Sequence, residues 1–157
     1  PSHTLLYEAR NYAIEQAQGA YYAFLDVDDW WAPDKIEKQL KLFNDPEVGL
    51  VYGNYWYVDE KNGIQYISSR NSLPSGYLTD VLLKNYCVGL LSIIIKKKAY
   101  NSLKYGFDSS YHIIGDFDIT IRWIDPYIIM ETCSSVDLHQ RVSEGPCRYY
   151  GMMNRKK

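Results

Sequence analysis

Residues 21–29 read Tyr-Tyr-Ala-Phe-Leu-Asp-Val-Asp-Asp, an apolar run followed directly by three carboxylates. The first five residues predict a short β-strand. In open α/β sheets, ligands bind at the carboxyl ends of the strands. Clustered carboxylates repel one another unless a cation lies between them, and oxygen ligands at this density suit Mn²⁺ or Mg²⁺. Asp26 and Asp28 are therefore candidate ligands of a metal ion, and that ion would bridge a diphosphate. The alternative is an acidic turn in which Asp29 caps the next helix.

Helices and strands alternate along the chain around this loop. Apolar residues at three- and four-residue steps predict a first helix, and a second helix is predicted after Pro33 with Ile36, Leu40 and Phe43 on its apolar face. The apolar positions of the first helix are Leu5, Leu6, Ala9, Ala13, Ile14 and Ala17. Further strands are predicted over 48–58, 64–68, 92–96, 127–131 and 136–142, and further helices over 77–84, 97–103 and 116–124. The alternation predicts an α/β class, and 157 residues are the usual size of one domain, here 1–157.

Composition narrows the function classes. The formal charge of −2 gives no electrostatic reason to expect a nucleic-acid partner. The three cysteines are widely spaced, which favours reduced thiols in a cytoplasmic protein over a disulfide or zinc framework. No apolar stretch is long enough to predict a transmembrane helix. The 16 tyrosines and 4 tryptophans are compatible both with an aromatic core and with a surface that stacks on sugars.

Two blocks resemble family 2 glycosyltransferases. The first comprises residues 9–14 (Ala-Arg-Asn-Tyr-Ala-Ile), 17–19 (Ala-Gln-Gly) and 24–39, which run from Phe-Leu through Asp-Val-Asp-Asp-Trp-Trp to Ala-Pro-Asp-Lys. The second comprises residues 114–119 (Ile-Gly-Asp-Phe-Asp-Ile), with Arg122 and a later Arg141. The resemblance implies a partial GT-A (Rossmann-like) fold with a mixed sheet flanked by helices. It also implies an inverting, metal-dependent transfer from a nucleotide-sugar donor to a hydroxyl of a carbohydrate or lipid-linked sugar acceptor, as in surface polysaccharide or glycoconjugate synthesis.

Site residues follow from the resemblance position by position. Asp116 matches the general base that deprotonates the acceptor hydroxyl, and Asp26 and Asp28 match the metal and diphosphate motif. The further donor-binding candidates are Arg10, Asn11, Asp29, Trp30 and Arg141. For Arg10 and Asn11 the alternative is a solvated helix face, whereas a contact with the acidic loop or the diphosphate is the functional interpretation. Arg122 is expected to pair with an acid for structural reasons.

The sequence departs from the family pattern at three places. Gly115 stands where the family often has Glu, and Ser143 stands where it often has His after the late Arg. The family's first strands, which hold the nucleoside, have no counterpart before Pro1. We therefore expect a catalytic portion of the fold that is inactive alone and self-associates through an exposed strand edge. We expect a cytoplasmic location, including a peripheral one at the inner face of the membrane.

Two other function classes remain open on the sequence. One is a non-catalytic carbohydrate-binding or scaffold domain on a degenerate GT-A fold, which the aromatic excess and the missing His permit. The other is a metal-dependent nucleotidyltransferase or nuclease that uses the acidic loop, but it predicts a basic groove that the near-neutral charge disfavours. Asp116 discriminates between the first alternative and a transferase, because a domain without catalysis has no use for a base at that position.

Overall fold

The computed structural model describes residues 6–111, 114–124 and 128–133, and the backbone of 138–141. The helices are α1 (Leu6–Gln16), α2 (Lys35–Lys41), α3 (Thr79–Lys84), α4 (Lys97–Tyr100) and α5 (Gly115–Ile124). The strands are β1 (Tyr21–Ala23), β2 (Trp30–Trp31), β3 (Val48–Gly53), β4 (Trp56–Asp59), β5 (Ile64–Ile67), β6 (Ile94–Lys96), β7 (Ile129–Cys133) and β8 (Leu138–Arg141). No helix in these ranges is long and apolar enough to cross a membrane. The α/β class predicted from the alternation is confirmed.

Within the described residues, the strands form two mixed sheets of four strands each. In the first, the order is β1-β6-β3-β7, with β7 parallel to β3 and the other pairs antiparallel. In the second, the order is β2-β8-β4-β5, with β8 parallel to β4 and the other pairs antiparallel. The strand predicted over 64–68 is β5, which forms a hairpin with β4 whose turn contains Gly63 at a positive φ of 64°. Strand β1 lies at an edge of the first sheet, so the acidic loop that follows it starts from a sheet edge.

The two central strands of the first sheet, β6 and β3, are buried on both faces. Leu50 and Tyr52 of β3 point into a cluster that includes Trp123 of α5, and Val51 points into a second cluster with Phe43. Strand β6 alternates in the same way along its length. Burial on both faces explains why these strands read as continuous apolar runs. The helix predicted over 116–124 is α5, and its Ile119 and Trp123 are fully buried.

The predicted apolar faces of α1 and α2 are confirmed only in part. In α1, Leu6, Ala9 and Ala13 are exposed, whereas Tyr7 is buried. In α2 the two predicted core residues are at the surface, Ile36 at 37% and Leu40 at 36% exposure. The buried side chains of that helix are Lys35 and Gln39, and only Phe43, just beyond the helix, is in the core as predicted. Ile14 and Ala17 of the α1 stripe pack against the core, as predicted, and they also line a groove together with Leu6, Ala9 and Ala13. Leu5 lies outside the described residues.

Several predicted boundaries differ from the structure. The predicted strand over 48–58 is two strands, β3 and β4, which belong to different sheets. The helix predicted over 97–103 ends at Tyr100, and the one predicted over 77–84 begins at Thr79. The last two strands run over Ile129–Cys133 and Leu138–Arg141, and the ends predicted at 127 and 142 lie outside the described residues.

Candidate functional site

The acidic loop folds as a tight turn after β1. The Asp29 backbone N–H donates to the Asp26 carbonyl at 3.1 Å, and Val27 between them is fully exposed. The carboxylates of Asp26 and Asp28 are on exposed residues. The alternative in which Asp29 caps the next helix does not occur, because β2 intervenes and Asp34 is the residue that precedes α2. The turn therefore presents Asp26 and Asp28 to solvent at the end of a strand.

Arg10 joins this loop to the candidate base. Its guanidinium donates from Nη2 to both carboxylate oxygens of Asp26, at 2.9 and 3.2 Å, and from Nη1 to Asp116 Oδ1 at 2.6 Å. The Arg10 side chain is only 10% exposed, whereas those of Asp26 and Asp116 are 49% and 39% exposed. The guanidinium carbon lies 5.7 Å from the ring centre of Tyr7 and 5.4 Å from that of Phe107. The fold thus brings together three residues that the sequence analysis had assigned to one site. The Arg10 side chain contacts the acidic loop and does not lie on a solvated helix face.

Asp116 lies in the first turn of α5. Partial burial raises the pKa of its carboxyl, the charge of Arg10 opposes that rise, and the nearby Asp26 adds to it. A carboxylate with a raised pKa is a better proton acceptor near neutral pH than one with an ordinary value. Its side chain still reaches solvent, so a substrate hydroxyl can approach it. Asp116 is therefore a solvent-accessible carboxyl group with a raised pKa.

Other predicted site residues have structural contacts. Asn11 holds the backbone of Phe107, donating from Nδ2 to its carbonyl at 2.8 Å and accepting from its N–H at 2.8 Å. Trp30 is half-buried in β2, while Trp31 donates from Nε1 to the Leu91 carbonyl at 3.0 Å. For Arg141 only the backbone is described, paired with Val58.

Arg122 confirms its expected structural role. It pairs with Asp118 at 2.7 Å and donates to the carbonyls of Tyr105 and Gly106. The loop before α5 is therefore held from one side by Asn11 of α1 and from the other by Arg122 of α5. Asp118, engaged in this pair, is not part of the Arg10 cluster.

The acidic loop fits a divalent cation that a phosphate also coordinates. Among the described residues, no three His, Cys, Asp or Glu side chains converge on one point. Mg²⁺ is usually bound through one or two carboxylates together with substrate phosphates and water, so Asp28 and Asp26, whose oxygens also accept from Arg10, are the candidate ligands. An open groove of about 820 Å³ runs between α1 and β1 and ends at Arg10, Asp26 and Asp28. Its size is that of a small-molecule site.

Comparison with known proteins identifies the family of this chain. The sequence matches the family model Glycosyl transferase family 2 over residues 3–105. The chain belongs to this family. It is 30% identical over 99 residues to the Escherichia coli UDP-Glc:alpha-D-GlcNAc-diphosphoundecaprenol beta-1,3-glucosyltransferase WfgD, covering 63% of this chain and 38% of the relative. It is 36% identical over 90 residues to the putative teichuronic acid biosynthesis glycosyltransferase TuaG of Bacillus subtilis, covering 57% of this chain and 35% of the relative.

Structural comparison gives the fold. The crystal structure of S. aureus TarS 1–349 matches this family 2 chain with a TM-score of 0.67 and 12% identity, over 87% of this chain and 40% of that one. The likeness confirms the GT-A type of mixed α/β architecture expected from the sequence. The chain spans less than half the length of TarS 1–349, of WfgD and of TuaG.

Sequence reasoning missed Tyr7 as a residue of this site. Its hydroxyl accepts a hydrogen bond from the backbone N–H of Gly115 at 3.1 Å, across 108 positions of sequence. The departure from the family pattern at Gly115 was the available signal, since an unexpected glycine indicates that something occupies the space of a side chain.

Proposed function

We propose that this chain contributes the diphosphate-binding loop and the general base of an inverting, metal-dependent glycosyltransferase. The observation that carries the proposal is the Arg10 bridge between Asp26 and Asp116. A loop suited to a cation and diphosphate and a partly buried carboxylate have to be adjacent in a sugar transferase, because the leaving phosphate and the incoming hydroxyl react at one carbon. Three side chains from α1, the β1 loop and α5 satisfy that requirement.

The donor proposed is a nucleotide sugar whose diphosphate lies at the acidic loop. Asp26 and Asp28 would hold Mn²⁺ or Mg²⁺, which supplies charge neutralisation for the departing nucleoside diphosphate. Trp30, beside this loop, offers an aromatic surface for the donor, and Arg10, Asn11, Asp29 and Arg141 keep the donor-side assignments that the resemblance implies. WfgD acts on UDP-glucose, as its name states, so a uridine diphosphate sugar is the first donor to test.

The reaction proposed needs one proton acceptor. The Asp116 carboxylate takes the proton of the acceptor hydroxyl while that oxygen bonds to the anomeric carbon of the donor sugar. The bond from this carbon to the phosphate oxygen breaks on the opposite face, and its electron pair leaves with the diphosphate. Attack opposite the leaving group inverts the configuration. Arg10 keeps Asp116 beside the diphosphate loop throughout, through the 2.6 Å ion pair.

The acceptor proposed is a carbohydrate or lipid-linked sugar used in surface polysaccharide synthesis. WfgD is named for a diphosphoundecaprenol acceptor and TuaG for teichuronic acid. A lipid-linked acceptor would place the enzyme in the cytoplasm or peripherally at the inner face of the membrane. The formal charge of −2 gives no electrostatic reason to expect a nucleic-acid partner.

Substitution of the base tests this proposal. In the full-length protein assayed with UDP-sugars, Mn²⁺ and lipid-linked acceptor, Asp116→Asn should lower turnover by about 10²–10⁴-fold while leaving donor binding intact. Asp118→Asn on the same helix is the matched control, because Asp118 pairs with Arg122 and not with Arg10. Normal turnover in Asp116→Asn, with loss in Asp118→Asn, would move the base to Asp118. Donor binding without turnover in the unsubstituted protein would favour the non-catalytic alternative.

A further inference from the structure

Gly115 is the residue before the proposed base, and the Tyr7 ring fills the space beside it. A Cβ atom at position 115 would lie 2.4 Å from Tyr7 Cζ, 2.6 Å from Cε2 and 2.8 Å from Cε1. Carbon atoms that are not bonded do not approach so closely, since their contact distance is about 3.5–4.0 Å. With Tyr7 in place, position 115 therefore accepts only glycine. Glycine in place of the family's Glu at position 115 is matched by the ring of Tyr7, which lies 108 residues earlier in the chain.

The hydroxyl of Tyr7 also serves the start of α5. The Gly115 N–H donates to Tyr7 Oη at 3.1 Å in a buried setting. The first amides of a helix have no partner within the helix, so an acceptor supplied from outside stabilises its first turn. Burial, followed by the charge of Asp116, raises the pKa of Tyr7, which keeps the phenol neutral. The helix that carries Asp116 thus starts at a fixed point against α1.

The Tyr7 ring also contacts Arg10, which holds Asp116 by an ion pair. It stacks on Phe107 with ring centres 5.7 Å apart and an interplanar angle of 4°, and the Arg10 guanidinium lies against both rings. Asn11 fixes the Phe107 backbone from the same helix. Tyr7 therefore acts on Asp116 through two residues that it contacts. One is Gly115 at the start of α5, and the other is Arg10, which forms the ion pair with Asp116.

We propose that Tyr7 is a positioning residue that holds Asp116 in place through Gly115 and Arg10, and that Tyr7 and Gly115 act as a matched pair. This inference rests on the proposed role of Asp116 as general base. The ring fixes where the first turn of α5 lies, and the hydroxyl fixes its amide. A displacement of the base by about 1 Å is enough to lower turnover by about a hundredfold.

Removal of the hydroxyl alone is the first test. Tyr7→Phe keeps the ring and its packing but leaves the Gly115 N–H without its acceptor. We expect kcat to fall about ten- to a hundredfold while KM for the donor stays unchanged, because the base moves and the diphosphate loop does not. Tyr12→Phe is the matched control on the same helix, since Tyr12 is 66% exposed. Unchanged kcat in Tyr7→Phe, at a temperature where all variants are folded, overturns the proposal.

Pairing of positions 7 and 115 is the second test. Gly115→Ala alone should lower the unfolding temperature and kcat, because its methyl group meets the Tyr7 ring. In a Tyr7→Leu background the ring atoms that it meets are gone, so the same alanine should cause little further loss in unfolding temperature. Equal effects of Gly115→Ala in both backgrounds would show that the two positions are independent and would overturn the pairing.

Failure of this inference is distinguishable from failure of the proposed function. If Asp116→Asn abolishes turnover while Tyr7→Phe leaves kcat unchanged, the base assignment stands and the role of Tyr7 is refuted. If Asp116→Asn retains turnover, the base lies elsewhere and the positioning role falls with it. The thermal coupling of positions 7 and 115 is measured without any assay of turnover, so it tests the contact in either case.

Discussion

At the scale of single residues, the site depends on how two carboxylates share one guanidinium. Arg10 is largely buried and faces two carboxylates that repel each other. Hydrogen bonds between charged groups are stronger than neutral ones, and the planar guanidinium can serve two acceptors at once, which a lysine ammonium does with less geometric control. The identity of residue 10 therefore sets both the position of Asp116 and its affinity for protons.

Replacement of Arg10 should change the pH dependence of the reaction. The charge of Arg10 lowers the pKa of Asp116, so Arg10→Gln should raise it. A base works only when deprotonated, so the acid limb of the kcat/KM profile should move to higher pH, and kcat/KM at neutral pH should fall by about tenfold or more. Arg70→Gln, at an exposed position, is the control. An acid limb at unchanged or lower pH in Arg10→Gln would contradict this assignment.

Substitution of Asp28 should weaken cation binding without changing the stability of the fold. Its side chain is exposed, so Asp28→Ala should leave the unfolding temperature unchanged while strongly weakening Mn²⁺ binding in the presence of UDP. The measurement is titration of Mn²⁺ followed by electron paramagnetic resonance, with and without UDP. Asp80→Ala, at an exposed position on α3, is the control. Nucleotide affinity that still depends on Mn²⁺ in Asp28→Ala would exclude Asp28 as a ligand.

At the scale of elements, α2 shows why apolar spacing misassigned a helix face. Lys35 and Gln39, four residues apart, are fully buried, and the Gln39 amide donates to the Ser92 carbonyl at 2.8 Å. The Lys35 ammonium lies 4.3 Å from the Trp31 ring centre and has no hydrogen-bond partner within the part of the chain that the structure describes. Burial lowers the pKa of Lys35 to about 7. A polar buried face cannot be read from hydrophobic periodicity, because the pattern assumes that lysine faces water.

Lys35 should make stability depend on pH. The folded pKa is about 7 and the unfolded one about 10.4, so between these values the unfolded chain binds more protons and stability rises with pH. Lys35→Met should raise the free energy of unfolding at pH 6 by about 1–3 kcal/mol, and the gain should shrink towards pH 9. Thermal unfolding at both pH values measures this, with the exposed Lys41→Met as control. A gain that does not change with pH would contradict it.

Strand positions were predictable from the sequence, but the change of sheet after β3 was not. The Asn54 side chain donates to the Ser69 carbonyl at 2.6 Å and accepts from the N–H groups of Tyr55 and Ser69. Ser68 also donates to the same amide oxygen. One side chain thus bends the chain between β3 and β4, and its partners come from beyond the next hairpin. Propensity alone reads this apolar and aromatic stretch as one strand.

Local motifs predicted the charged residues of the site but not the residues that hold them in position. The acidic loop and Asp116 stand in recognisable contexts, and a contact between Arg10 and that loop was one of two interpretations that the sequence left open. Tyr7 carries no motif, because its role exists only through the contact with Gly115 across the fold. Residues that bear charge are visible in a sequence by their chemistry, whereas residues that position them are visible only by their neighbours.

At the scale of the whole molecule, the groove between α1 and β1 is an exposed apolar surface. Among the described strands, β1 pairs with β6 alone, and Leu6 and Leu25 beside it are 55% and 45% exposed. Unpaired strand edges next to apolar surface promote association with other chains. Arg10, Asp26 and Asp28 line this groove together with apolar side chains of α1 and β1, and a second copy could cover that apolar surface.

The 157 residues expressed alone should therefore self-associate. We expect sedimentation velocity at micromolar to millimolar concentrations to show dimers or larger species, because association would bury the groove and pair the outer edge of β1. The double substitution Leu6→Lys and Leu25→Lys places charges on both sides of the groove and should restore the monomer. Leu83→Lys, at a residue 55% exposed on α3, is the matched control, since it lies outside the groove and should leave association unchanged. A monomer in the unsubstituted chain, or equal dissociation by Leu83→Lys, would show that the groove does not drive association.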